Sequence, residues 1–294
     1  MKVLLSGGTG FVGGYVRRAL LAKGHSVRVL VHRHATGIGD GIEQVTGDVM
    51  RPQTLEAAAA GCDAVINLVG IIREFPARGV TFEALHVRAT EHMVQSALKA
   101  GASRYIQMSA LGTRPEAVSA YHRTKFRAEE IVRDSGLDYT IFRPSVIFGA
   151  GDDFINKLAG FVKALPAVPV IGSGSYRLQP IHAEDVARCF ALSLEMPETR
   201  GATYSLCGPD RVTYNELLDL IGRILGKPRI AKLRNPLFLM KLVVPLFQRF
   251  PVFPLTTDQI TMLLEESICD GGWRKIFPFS PIPLEEGIRS YLSR

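Results

Sequence analysis

The sequence predicts an α/β protein, a doubly wound parallel sheet with a smaller C-terminal cap, on three observations. Short apolar runs of strand length alternate with stretches of helical length through the first half of the chain. Five glycines cluster in "SGGTGFVGG", between the first apolar run and the first helical stretch. After Arg143 and Pro144 the alternation loosens. This divides the chain into residues 1–145, the sheet-forming region, and residues 146–294, which return a few segments to the sheet and supply the cap.

Residues 2–5 read as a short buried strand and residues 11–23 as a helix stopped by Gly24. Residues 26–31 and 42–46 are the second and third strands. Residues 52–60 form a helix with Pro52 near its start and Gly61 at its end. Residues 64–69 are the fourth strand, and residues 82–100 a long helix stopped by Gly101. A fifth strand at 104–108, a helix at 119–135 stopped by Gly136 and a sixth strand at 139–142 complete the first region. Beyond it, "GSGSYRLQPIHAEDVA" reads as a loop, a strand and a helix starting near Ala183. Thr213 and Glu216 have capping-box spacing, and Gly226 with Pro228 closes the helix that they open.

A chain of 294 residues holds one large α/β unit, or one such unit with an appendage. Its 47% hydrophobic and 21% charged residues are ordinary for a globular protein and exclude wholesale disorder. Cys62, Cys189, Cys207 and Cys269 are widely spaced with no C-x-x-C, so neither a metal site nor a disulfide framework is expected. That usage, with no signal peptide ahead of the first strand, predicts a reducing, cytoplasmic setting.

The net charge of +7 is unevenly placed. Lys227, Arg229, Lys232, Arg234, Lys241 and Arg249 contribute +6 between residues 227 and 257, where there is no Asp or Glu. Nucleic-acid recognition wants cations interleaved with polar or stacking groups, and this stretch is apolar instead, so no nucleic-acid partner is expected. Within it, residues 235–255, "NPLFLMKLVVPLFQRFPVFPL", carry apolar side chains all round an axis. Pro236, Pro245, Pro251 and Pro254 break the run too often for a spanning helix. Two readings follow: the buried lining of the cap, or an exposed element resting peripherally on a membrane or a hydrophobic protein.

The glycine cluster carries the first functional reading. A strand, a glycine turn and a helix let backbone N–H groups and the positive end of a helix dipole meet a pyrophosphate with no side chain between them. The glycines fall at Gly7, Gly10 and Gly13, spaced G-x-x-G-x-x-G. Gly7, Thr9, Gly10, Phe11, Val12 and Gly13 are therefore candidate cofactor-binding residues in a Rossmann-like fold. The end of the second strand chooses the cofactor. It reads "VRVLVHRHA", with Arg33 flanked by His32 and His34 and no carboxylate to hold ribose hydroxyls. Arginine forks onto a 2′-phosphate, so NADP(H) is expected, with His32 and Arg33 at the adenosine end. Asp48, with Val49, would meet the adenine, or else Asp48 is a turn-former beside Gly47. Leu68, Val69, Gly70 and Pro144 line the strand ends where the nicotinamide would lie.

The second functional reading is "YHRTK". Tyr121 and Lys125, four apart on one helix, share a face, and no other Tyr-x-x-x-Lys occurs in the chain. An ammonium beside a phenol lowers its pKa, so the tyrosine can exchange a proton with a carbinol oxygen near neutral pH. The same lysine reaches nicotinamide ribose hydroxyls. His182 and Asp185 read as a helix N-terminal cap, Cys62 and Cys189 as inert core and Trp273 as cap packing. His122 is given no role.

With "GGTGFVG", "GDV", "NLVG", "YHRTKFRAEE", "FRPSVIFGAGD", "IHAEDVA" and "PIPLEEGIRSYL" in place, almost the whole chain resembles the short-chain dehydrogenase/reductase superfamily in its extended, epimerase/dehydratase-like branches. "SALGT" and "DDFIN" are similar to the NADPH-binding, reductase-like accessory subunits of respiratory complex I and their bacterial relatives. The resemblance implies a serine near the end of the fifth strand that polarises a substrate carbonyl. Ser109 is the candidate, and Ala110 is the alternative occupant of that position. "NLVG" stands where nucleotide-sugar epimerases carry "LAA", and His86 in "HVRAT" stands where they carry asparagine. Two function classes follow: an NADP(H)-dependent oxidoreductase acting on a small carbonyl or alcohol, with Tyr121, Lys125 and Ser109 catalytic, or a non-catalytic NADPH-binding module on a membrane complex.

Overall fold

A computed structural model describes residues 1–32, 35–39, 41–248 and 255–293. In chain order it contains β1 (Lys2–Ser6), α1 (Phe11–Ala22), β2 (Ser26–Val31), β3 (Ile42–Thr46), α2 (Pro52–Ala59), β4 (Ala64–Asn67), α3 (Ala89–Lys99), β5 (Arg104–Met108), α4 (Ala120–Arg133) and β6 (Asp138–Pro144). There follow β7 (Ile147–Phe148), α5 (Phe154–Ala164), β8 (Val168–Ile171), β9 (Arg177–Leu178), β10 (Ile181–His182), α6 (Ala183–Ser193), β11 (Ala202–Leu206), β12 (Val212–Thr213) and α7 (Tyr214–Ile224). The last elements are β13 (Lys232–Asn235), α8 (Leu237–Phe247), α9 (Thr257–Leu264) and α10 (Leu284–Leu292).

The chain divides into two compact units. The first comprises residues 1–144, 183–206 and 272–278. Its core is a parallel sheet in the order β11-β6-β5-β4-β1-β2-β3. The order reverses between β1 and β4, and a doubly wound sheet binds ligands outside the carboxyl ends of its strands at such a point. Strands buried on both sides need apolar residues throughout, and Leu4, Leu5, Val65, Ile66, Ile106, Ile141 and Phe142 are fully buried. Helices α2 and α3 pack beside one another, with Leu55, Ala58, Met93 and Ala97 in one core cluster with Leu4, Val65, Tyr105 and Ile141. Helix α1 packs on α6. The predicted single helix at 82–100 is instead a π-helical turn, Glu83–Arg88, running into α3. Trp273, expected in the cap, belongs to this first unit, buried with its ring 6.3 Å from that of Phe277.

The second unit comprises residues 145–182, 207–271 and 279–294. Its core gathers Phe148, Ile155, Leu158, Val168, Leu217, Ile221 and Ile288. The expected capping box opens α7, with Thr213 and Glu216 satisfying one another's backbone N–H groups. A disulfide joins Cys207 to Cys269, Cα atoms 6.1 Å apart, which corrects the expectation of no bridge. The pair is separated by 62 residues, so its proximity is a product of the fold and leaves no spacing signal. Cys62 and Cys189 are buried and free, and burial pushes both thiols up. His182 ends β10 with its ring edge-on to Phe148, and Asp185 lies buried within the first turn of α6, 3.8 Å from Arg188. His182 directly precedes α6 and Asp185 stands in its first turn, as a helix N-terminus places them.

Residues 249–254 of the apolar stretch lie outside the described residues, and residues 235–248 do not line a core along their length. Leu237, Met240 and Val244 of α8 pack with Ile171 and Ile260, while Phe238, Leu239, Leu242, Leu246 and Phe247 are exposed. Among the described residues, no helix is long and apolar enough to cross a membrane.

Candidate functional site

The turn between β1 and α1 is shaped for an anion. Gly7 takes φ +74°, and a Cβ there would lie 3.1 Å from the Leu68 carbonyl carbon. A Cβ on Gly13 would strike the Gly7 carbonyl oxygen and lie 2.7 Å from Gly8, so α1 meets the turn this closely only as glycine. Gly10 donates its N–H to the Gly7 carbonyl at 3.1 Å and occupies the helix N-cap. That cap makes no side-chain hydrogen bond, and the first turn holds no acidic residue. The first N–H groups of a helix have no intrahelical acceptor, so those of Phe11, Val12 and Gly13 are presented at the positive end of the dipole, next to exposed Thr9. A backbone cradle with an uncapped helix end fits a dinucleotide pyrophosphate.

At the ends of β2 and β3, exposed His32 places Nε2 3.6 Å from Asp48 Oδ2. Asp48 Oδ1 accepts the Met50 N–H at 2.8 Å, the turn-forming role weighed for it, and its second oxygen faces His32 and Arg51. The Val49 carbonyl meets His92 Nδ1 at 2.8 Å. Arg33 and His34, on which the choice between NAD and NADP rests, lie outside the described residues.

The end of β4 is pinned by a buried polar network that the sequence did not announce. Asn67, opposite Ser6 in register, accepts the Ser6 hydroxyl at 2.8 Å and donates to Gln107 at 3.1 Å and Thr90 at 3.3 Å. Its Oδ1 also accepts the Val69 N–H at 3.2 Å, which sets the path of Leu68, Val69 and Gly70. This is a physical reason for asparagine in "NLVG". Gly70 has no side chain, and a Cβ there would lie 2.8 Å from Lys125 Nζ. The ammonium fills that space. It donates to the carbonyls of Met108 at 3.1 Å and Val69 at 3.4 Å, at the ends of β5 and β4. Burial lowers Lys125 to about 8, opposed by the Glu129 carboxylate one turn along α4. Lys125 therefore stays mainly charged at neutral pH.

Tyr121 lies one turn before Lys125, among aromatic edges. Its ring centroid is 5.8 Å from Phe82, 5.3 Å from His86 and 5.2 Å from His122. Burial pushes its phenol up to about 12, so the lowering expected from Lys125 is not what the protein alone produces. Desolvation of the phenolate is the cause of that shift.

His86 is the functional-site neighbour that residue spacing alone did not assign. It sits in the π-helical turn, a feature that often marks functional sites, and it stacks on Phe82 at 5.2 Å. Its Nδ1 is 2.9 Å from Thr124 Oγ1. The Thr124 hydroxyl also lies within reach of the Ala120 and Tyr121 carbonyls, and His86 Nε2 lies 3.1 Å from the Ile71 carbonyl oxygen and 3.2 Å from the Ile71 N–H nitrogen. Burial first, and Lys125 second, hold His86 down at about 2, so it is neutral.

Ser109 is buried just beyond the end of β5. Its hydroxyl donates to buried Glu129 at 2.5 Å. Glu129 also accepts Arg143 Nε at 2.7 Å and ion-pairs with Arg133. Tyr121 and Glu129 lie eight residues apart on α4, about 12 Å along the axis at 1.5 Å per residue. The serine is thus tied to the far end of the face, and Ala110, which follows it, has no hydroxyl. Pro144 closes β6, its carbonyl accepting the Leu111 N–H at 2.9 Å. His122 is buried beside Gly112, where a Cβ would lie 3.0 Å from its ring.

Comparison with known proteins places these features in context. The profile of the NAD dependent epimerase/dehydratase family matches residues 3–207. The Arabidopsis thaliana mitochondrial NADH dehydrogenase [ubiquinone] 1 alpha subcomplex subunit 9 is 33% identical over 79% of this chain, which spans 60% of that relative's length. The ceramide reductase of Caulobacter vibrioides is 31% identical, over 80% of this chain and 74% of that protein. The dTDP-glucose 4,6-dehydratase DesIV of Streptomyces venezuelae, solved with NAD bound, superposes with a TM-score of 0.76 at 20% identity, covering 99% of this chain and 95% of its own.

Proposed function

The chain belongs to the NAD dependent epimerase/dehydratase family, and we propose that it is an NADP(H)-dependent oxidoreductase of the short-chain dehydrogenase/reductase type, exchanging a hydride with a carbonyl or alcohol. The observation that carries this reading is the Tyr121–Lys125 pair, with a buried ammonium held by the Val69 and Met108 carbonyls one turn from the phenol. The nicotinamide supplies or accepts the hydride when bound. Backbone N–H groups of Phe11, Val12 and Gly13 would hold the dinucleotide pyrophosphate, and Arg33, in the sequence "VHRHA" without a carboxylate, would favour the 2′-phosphate. In reduction Tyr121 gives its proton to the carbonyl oxygen. Its high pKa keeps it in the donating form, and Lys125 favours the phenolate that remains. The neutral His86 ring and Phe82 lie edge-on to the Tyr121 ring and hold it in place. A relative that is a ceramide reductase supports the catalytic reading.

A second reading rests on Ser109. With that hydroxyl bound to Glu129 and Ala110 following it, the second donor to a substrate oxygen is missing, as suits a module that binds NADPH without turning it over. A relative that is an NADH dehydrogenase subunit agrees with it. NADPH oxidation against a panel of carbonyls separates the two. Tyr121→Phe should lower turnover at least about 10²-fold while NADPH affinity holds. Turnover that survives the change defeats the proposed mechanism, and tight NADPH binding with no turnover in either protein establishes the second reading.

A further inference from the structure

We propose that α8 is a membrane-docking element that seats its outer face on an anionic lipid surface. Of the described large apolar side chains left exposed, six fall between residues 233 and 247: Leu233, Phe238, Leu239, Leu242, Leu246 and Phe247. The inner face of the helix is already used, since Leu237, Met240 and Val244 pack with Ile171 and Ile260. The outer residues are therefore not core that the second unit could bury further. At about 100° per residue, Phe238, Leu242, Leu246 and Leu239 fall within an arc of about 100°, the width of an amphipathic helix's apolar stripe. Phe238 is 74% exposed, Leu242 66% and Leu246 58%.

Charge selects the occupant. Lys241 lies about 60° beyond one side of that arc, from where a long cationic side chain can reach headgroups while its stem covers apolar surface. Arg229 and Arg234, on either side of β13's start, are exposed as well. Lys232 is the exception, its charge met by Asp219 at 2.7 Å. Residues 227–257 contain six cations and no acid, so the stretch that bears the apolar stripe carries a net positive charge. An apolar stripe bordered by cations gains from both acyl-chain burial and the negative surface potential of anionic lipid. A second copy of this chain would instead bring a like-charged stripe against it.

The test is sedimentation of the full chain with phosphatidylcholine vesicles, with and without phosphatidylglycerol. Wild-type protein should bind the anionic vesicles at low salt, leave them at high salt and ignore the neutral ones. Phe238→Ser with Leu242→Ser should lose most of that binding with an unchanged melting temperature, because both side chains are exposed. Should the double variant unfold, Phe238→Trp decides: its emission should shift to the blue on addition of anionic vesicles, against a background from Trp273, which is already buried. Wild-type protein that stays in the supernatant at low salt, a serine variant that binds as well as wild type, or a tryptophan that reports no change overturns the proposal. The first of these outcomes assigns the stripe to a protein partner.

Discussion

Lys125→Met removes the charge of the site's ammonium while keeping most of its length, and the structure gives the effect a size and a sign. Burial takes Lys125 from 10.5 to about 8. At about 1.4 kcal/mol per pKa unit, holding the charge in the folded chain costs about 3 kcal/mol at neutral pH. The variant escapes that cost but leaves the Val69 and Met108 carbonyls without their donor, at about 1–3 kcal/mol each, so its stability at neutral pH should lie close to wild type. The pH dependence is sharper. The folded pKa lies below the unfolded one, so between about 8 and 10.5 the unfolded chain binds more protons and wild-type stability rises with pH. Relative to the variant, wild type should gain about 1 kcal/mol between about pH 7 and about pH 9. Urea melts of both proteins at the two pH values measure it. Parallel profiles would refute the reasoning, because they would mean that the ammonium is as well solvated folded as unfolded.

Three further outcomes follow from the same geometry. Gly13→Ala forces a Cβ into the Gly7 carbonyl, so it should cost about 1–3 kcal/mol of stability and abolish NADPH binding in a fluorescence titration; an alanine variant that binds normally would mean the turn relaxes freely. Ser109→Ala should lower stability by about 1.5–3 kcal/mol, the scale of a hydrogen bond to a charged group, with little effect on any turnover; the reverse pattern would place the hydroxyl on substrate. Arg33→Asp should weaken NADPH binding by about 1.5–3 kcal/mol and NADH binding far less, while equal losses for both would reduce Arg33 to a surface cation.

The parts of the fold that local patterns encode were legible in the sequence. The turn at Gly7 to Gly13 was legible because close backbone approach admits only glycine, and the α7 capping box because Thr213 and Glu216 stand at its fixed spacing. What depended on tertiary placement was not. The direction of the Ser109 hydroxyl turns on a single residue at a strand end, where neighbouring side chains point to opposite faces. The π-helical turn at Glu83–Arg88 has no residue signature, so His86 was placed by family position and not by contact. Cys207 and Cys269 meet only because the second unit folds between them. Composition left the apolar stretch at residues 235–255 open between core and surface, since apolar side chains all round a helix fit either. Packing decides: Val244 is buried and Phe238 is not. The lowering of Tyr121 by Lys125 also failed to follow from spacing, because burial acts on the phenol as well as on the ammonium.

The most direct measurement of the central claim is isotope transfer. Protein charged with NADPH deuterated at the nicotinamide C4 is mixed with carbonyl substrates, and the products are examined by mass spectrometry. The account predicts deuterium on the carbinol carbon with wild-type protein and at least about 10²-fold less in the same time with Tyr121→Phe. NADPH bound tightly by both proteins, with no deuterium leaving it in either, would contradict the account.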